Sequence, residues 1–308
     1  MRVVGHAGLV NPGTELSREA VAAFEAERPR LLGLAYRMLG VYAEAEDVVQ
    51  ETWLRWNAST VELERPPAWL TTVATRIALD RLRAGKRRRE DYVGPWIAEP
   101  VVLEPGPEET AELSDSLTLG FLTMLDRLSP VERAVFLLAD VFEVPYCDVA
   151  TTVDKSEVAC RQIASRARRR LRDGHADAVG RHHAGADRRI VDELLLAVVT
   201  GDVARTLALL APDVVSISDG GANRHAARRP VVGADRVARF FTNLASKNLH
   251  RASATAATIN GDPGVIVTVD GAVDFVAAFE VENEKVVSIW IVRNPEKLEH
   301  VLAPVALR

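Results

Sequence analysis

Two of the 308 residues are cysteine, Cys147 and Cys160. A disulfide framework is therefore excluded, and both thiols are expected to behave as small hydrophobes. His175, His182 and His183 lie close together in sequence, but no cysteine stands near them at zinc-like spacing, so no metal or cofactor site is expected. No window offers about 18 apolar residues without charge, and residues 1–17 lack a basic run ahead of an apolar core. A membrane-spanning or exported chain is set aside and a cytoplasmic one expected. Cations are missing over one long stretch: Glu90 to Asp126 contains no lysine or arginine.

The formal net charge of −5 would argue against a nucleic-acid partner if it were evenly spread. It is not. Helical periodicity runs through 18–57, with a break near Gly40, and resumes after Pro66-Pro67 from Trp69 to Arg89. That last helix ends in Arg81, Arg83, Lys86, Arg87, Arg88 and Arg89. The cation-free stretch follows, broken by Pro95, Pro100, Pro105 and Pro107, and reads as an acidic, extended linker. Helical patterning returns over 117–172, with Ser129 as N-cap and Pro130 as first helical residue. Its end, Ser156 to Arg172, holds six arginines and one acid, Glu157.

Beyond a second linker the pattern changes. Two helices are expected in 188–211, separated near Gly201-Asp202, and a third over 235–246. The segments 213–218, 252–259, 264–270, 273–281 and 285–292 read as strands. An α+β domain with a curved antiparallel sheet fits this order. The expected division is a disordered arm at 1–17, helical modules at 18–91 and 117–173, linkers at 92–116 and 174–187, and an α+β domain at 188–308.

Three segments carry chemistry. The helix around Ala45–Leu54 sets an apolar face (Val48, Val49, Thr52, Trp53) against an acidic and amide one (Glu46, Asp47, Gln50, Glu51), a surface suited to a basic partner helix. The basic helix after Trp69 can neutralise phosphates, and a nearby aromatic can hold unstacked bases, although Trp69 itself reads more readily as a core anchor. The third segment reads as a helix-turn-helix: Glu143–Ala150, a turn at Thr152-Val153-Asp154, and a recognition helix from Lys155 to Arg172. Ser156, Glu157, Arg161, Gln162 and Ser165 would face bases, with arginines for the phosphates. Without glycine in the turn, Asp154 must do the bending. Glu157 and Arg161 stand one helical turn apart, close enough to brace each other.

These segments, in this order, resemble the extracytoplasmic-function branch of the sigma-70 family. The resemblance implies core RNA polymerase and promoter DNA as partners. Glu46, Asp47, Val48, Val49, Gln50 and Glu51 would meet the coiled coil of the largest subunit, and the flap would be a second polymerase contact. Trp69, Arg76, Arg81, Arg83, Lys86, Arg87 and Arg88 would serve the minus-ten element, with Arg76 standing where relatives carry Asn. Tyr146, Lys155, Ser156, Glu157, Arg161, Gln162, Ser165, Arg166 and Arg169 would serve the minus-35 element.

The last 120 residues resemble the SnoaL-like, NTF2-like cone domain borne by one sigma subgroup. Three motifs carry that likeness: Trp96-Ile97-Ala98-Glu99-Pro100, Asp219-Gly220-Gly221-Ala222-Asn223, and Asn294-Pro295-Glu296-Lys297-Leu298. Trp96 either fills an apolar groove on the third domain or covers part of the helical module before it; in the first case Trp96 and Glu99 pin the linker to the third domain, which would then regulate in cis without a separate anti-sigma protein. A small ligand in the domain's pocket is a further expectation. Asp219, Asp270, Asp274 and His225 could serve as acids or bases, but no spacing pairs a base with an oxyanion donor, so no catalytic residue is assigned. The alternative reading is a cyclase-like or ligand-sensing protein with a DNA-binding arm.

Overall fold

The computed structural model describes residues 18–59, 65–102, 116–172, 184–248 and 252–302. The expectation for residues 1–17 lies outside them, as do most of the second linker and linker residues 103–115. Helices α1 (Arg18–Leu39), α2 (Tyr42–Asn57) and α3 (Pro66–Glu90) form the first bundle. Leu31, Leu34, Ala35 and Met38 of α1 meet Val48, Val49 and Thr52 of α2 and Leu70, Ala74 and Ile77 of α3, all buried. The break between α1 and α2 falls at Gly40, whose φ of +69° suits glycine alone.

The second bundle comprises α4 (Leu119–Leu125), α5 (Pro130–Phe136) with a π-helical extension Leu137–Val141, α6 (Tyr146–Val153) and α7 (Glu157–Arg172). Ser129 and Glu132 make a reciprocal capping box at the start of α5. Asp154 ends α6 in the left-handed conformation, φ +55°, as the missing glycine required.

The third domain begins with α8 (Ala184–Thr200) and α9 (Val203–Leu209), the latter capped by Asp202. Strands β1 (Leu210–Asp219) and β2 (Val231–Val232) precede α10 (Ala234–Asn248). Strands β3 (Ala252–Ile259), β4 (Asp262–Val269), β5 (Ala272–Glu282) and β6 (Lys285–Val292) complete a sheet of order β2-β1-β6-β5-β4-β3. Four pairings are antiparallel, as expected. β1 and β6 run parallel, because the chain crosses over through α10 and the β3–β5 meander before returning beside β1.

Both faces of this sheet are apolar. Val265, Ala277, Ile289 and Ile291 point towards α8–α10, whereas their neighbours Ile266, Val276, Ala278, Trp290 and Val292 belong to the core shared with the linker and the helical bundles. An antiparallel sheet often leaves one face to water. Here the second face is covered by the rest of the chain.

Candidate functional site

The described linker, residues 91–102, runs extended between the third domain and the first bundle. Its anchor is Asp219 at the end of β1, which is fully buried. One carboxylate oxygen accepts from the Tyr92 hydroxyl at 2.5 Å and the Gly221 amide at 3.1 Å; the other accepts from the Ile97 amide at 3.0 Å and Lys297 Nζ at 2.8 Å. Lys297, 7% exposed, also donates to the Ile97 carbonyl and sits over the rings of Trp96 and Tyr92, at 4.3 and 4.9 Å. Asn294 donates to Tyr92 and caps the 3-10 turn Pro295–Lys297 that presents the lysine. Burial and the Asp219 carboxylate push the Tyr92 hydroxyl pKa well above its ordinary value.

The same linker grips the first bundle. Trp96 lies against Gly40 so closely that an added Cβ would fall 2.6 Å from its ring. The Glu99 carboxylate accepts from the Tyr42 amide at 2.7 Å and so caps α2, whose own N-cap residue, Val41, supplies no side-chain bond. Glu99 thus finds its donor on the first bundle rather than on the third domain. Burial raises the Glu99 pKa; the Tyr42 amide and the nearby His300 and Lys297 only partly offset this.

A raised carboxylate pKa means the docked state binds more protons than the released one. Docking contributed by Glu99 is therefore full below the ordinary glutamate range and weakens as pH rises through the elevated value. Exchange of the Tyr42 amide should slow as pH falls, after correction for intrinsic rates, and E99Q should flatten that trend. An equally steep trend in E99Q would contradict the assignment.

Three anchors match the motifs read from sequence: Asp219 with Gly220 and Gly221 at the turn, Trp96 with Glu99 and buried Pro100, and Asn294 with Lys297; Pro295 is exposed and serves only to start the turn. A fourth anchor, Asn260, belongs to none of these motifs. Its side chain donates to the Tyr36 hydroxyl (2.7 Å) and the Leu117 carbonyl (2.9 Å) and accepts from the Val101 amide (2.9 Å), joining both bundles, the linker and the sheet. In sequence Asn260-Gly261 reads as an ordinary hairpin turn, which it also is.

The two bundles touch directly. Arg76 donates to the Thr151 and Thr152 carbonyls at the end of α6, at 2.7 and 3.1 Å, Thr72 bonds Thr152, and Arg65 makes a two-pronged pair with Asp148. Arg133 donates to the Arg37 carbonyl and pairs with Asp126. Arg37, wholly buried beside Phe142, has its pKa lowered to about 9 by burial.

The recognition helix α7 stays open. Ser156 caps it by accepting from the Ala159 amide. Glu157, Arg161, Gln162, Ser165, Arg166 and Arg169 are exposed along it, and Lys155 just ahead of it. Glu157 braces Arg161 at 3.0 Å, and Arg161 stacks 4.7 Å over Tyr146. Arg168 and Arg170 are held by Asp140 and Glu132 instead. On α2, Glu46, Asp47 and Gln50 are exposed and Glu51 half-exposed, whereas Val48 and Val49 are buried in the bundle. Arg81 reaches back to Asp47 at 2.9 Å and Glu51 at 3.7 Å. Trp69 packs on Trp56, and Arg83 pairs with Asp80. The side chains of Lys86, Arg87 and Arg88 lie outside the described residues.

Among the described residues no three His, Cys, Asp or Glu side chains gather as a metal site, and no helix is long and apolar enough to cross a membrane. Both cysteines are free, Cys147 exposed and Cys160 buried.

Two helical bundles, one ending in a helix-turn-helix with an open basic recognition helix, define a transcription initiation factor of the sigma-70 class. The family models for Sigma-70 region 2 and Sigma-70, region 4 match residues 23–88 and 119–171. The chain belongs to the extracytoplasmic-function (ECF) RNA polymerase sigma factors: it is 37% identical to ECF RNA polymerase sigma factor SigJ of Mycobacterium tuberculosis over 90% of this chain and 92% of that one. It is also 33% identical to the probable ECF sigma factor SigI of the same species, over 90% and 94%. The crystal structure of M. tuberculosis SigJ superposes with a TM-score of 0.72 at 35% identity, covering 91% of this chain and 99% of that one. As a sigma factor the chain is no enzyme; it partners core RNA polymerase and promoter DNA.

Proposed function

We propose that this sigma factor is held in check in cis by its own C-terminal domain, acting through the linker and without a separate anti-sigma protein, in the cytoplasm where its polymerase resides. The observation that carries this reading is Asp219, which ties both ends of linker segment 92–97 to the third domain while Trp96 within it and Glu99 just beyond it tie the linker to the first bundle. Residues 18–91 serve polymerase and the minus-ten element, 117–173 serve the minus-35 element, and 188–308 regulate. The two elements are named for positions roughly 25 base pairs apart, roughly 85 Å at 3.4 Å per base pair. The bundles touch through Arg76 and Thr152, so reading both elements at once requires that contact to part.

Exposed Glu46, Asp47 and Gln50, with Glu51, form the polymerase-facing side of α2, and Val48 and Val49 support it from within. Purified core enzyme plus the full chain should yield promoter-specific transcripts. Asp47→Lys should weaken core binding about ten-fold, or about 1.4 kcal/mol. Unchanged core affinity would count against the surface.

On α7, Arg161→Ala or Gln162→Ala should narrow the preference for the cognate minus-35 sequence by ~1–3 kcal/mol. Arg166→Ala or Arg169→Ala should weaken binding to every sequence and flatten its salt dependence. Competition binding at several salt concentrations separates the two patterns, and one uniform loss for all four variants would sink the assignment.

A further inference from the structure

A cavity of about 180 Å³ opens where linker residues Val93, Gly94 and Pro95 face the loop that follows Asp219. It lies outside the apolar core between the sheet and α8–α10, and its wall is of opposite character. Arg224, His225, Arg228 and Asn223 line it together with Ser218 and the Gly220-Gly221 turn, and among the described residues that line it none is acidic. The Asp219 carboxylate is fully buried and engaged by Tyr92, Ile97, Lys297 and the Gly221 amide. Asp274 stands near but is engaged by Arg293 at 2.9 Å, leaving Arg224 at 3.8 Å, the far edge of an ion pair. Arg293 also donates to the His225 carbonyl, which fixes the loop that carries both cavity arginines.

Two arginines line one small concavity, and Asp274 reaches only Arg224, at 3.8 Å; such a wall favours an anion that accepts from several directions. The size selects too: the cavity falls below the roughly 300–1,000 Å³ of clefts for drug-sized ligands. We infer that this cavity binds a small phosphomonoester, a phosphate on a chain of a few carbons, between the Arg224–Arg228 loop and the linker. Because Val93–Pro95 form one wall, the complete site exists only while the linker is docked. The ligand therefore stabilises the docked form by RT ln(1 + [L]/Kd), and its concentration sets the fraction of chain held closed. This last step rests on the regulatory reading above; the binding itself does not.

The test is calorimetric titration of the full chain with glycerol 2-phosphate, at matched ionic strength against sodium chloride and sodium sulfate. Saturable one-site binding is expected, weakened ten-fold or more in R224Q and in R228Q and unchanged in R239Q, whose arginine sits on α10 and pairs with Asp235. No saturable heat, sulfate binding as tight as the phosphomonoester, or an equal loss in R239Q overturns the site. Exchange of the Ile97 amide should slow on saturation; binding that leaves it unchanged overturns the coupling to the linker. Neither polymerase nor promoter is present, so failure here leaves the sigma-factor reading untouched.

Discussion

Replacing Asp219 with alanine is expected to free the linker while leaving each bundle folded. The substitution removes the acceptor for the Tyr92 hydroxyl, two backbone amides and Lys297 at once, and leaves an almost wholly buried ammonium group without its counter-charge. Breaking a buried ion pair from one side typically costs about 3–5 kcal/mol, most of it the penalty on the charge left behind. D219A should therefore raise exchange at the Ile97 and Val101 amides by two orders of magnitude or more, and open the segment 92–102 to proteolysis. Promoter-specific output with core polymerase should rise with it. Adding K297M to D219A should restore part of the loss, since no charge is then stranded. Wild-type protection of Ile97 in D219A would show that the apolar contacts alone hold the linker.

The second large effect reaches the same state from the opposite side. In Gly40→Val the backbone must hold a β-branched residue at φ +69°, and its Cβ must displace the Trp96 ring from 2.6 Å. Left-handed strain and overpacking each contribute about 1–3 kcal/mol. G40V should thus expel Trp96 and, with it, Glu99 from the start of α2, while the Asp219 cluster stays intact. The two variants are distinguishable: amide exchange should rise at Tyr42 in G40V and at Ile97 in D219A. If G40V instead unfolds the first bundle as a whole, shown by loss of its helical signal at temperatures where the third domain persists, the docking contact was not the weaker element.

Much of this arrangement is legible before any coordinates. Helix boundaries follow from Gly40, Pro66 and Ser129-Pro130, each of which acts locally through backbone conformation or capping, and local rules are what a sequence states openly. Asp154 as the bend of the helix-turn-helix belongs to the same kind. What sequence conceals is pairing at long range. Arg76 and Arg81 read as two members of one basic helix, yet one is bound to the end of α6 and the other to α2. Asn260 reads as a turn residue because its second duty, joining Tyr36, Val101 and Leu117, depends on segments more than 140 positions away. One long-range feature does show in the sequence. Ser288-Ile289-Trp290-Ile291-Val292 is nearly continuous in apolar residues where a one-faced strand would alternate, and such a run implies cover on both sides.

That two-faced sheet also bears on how the protein can change over evolutionary time. A domain with one wet face can be gained, lost or moved between genes as a unit. This one presents Ile266, Val276, Ala278, Trp290 and Val292 to the rest of its own chain, so separation leaves an apolar patch on each half, prone to self-association. Lineages that shed the domain must recolour the exposed surface with polar residues in the same few steps. The third domain and the two bundles it covers are thereby bound to a common inheritance.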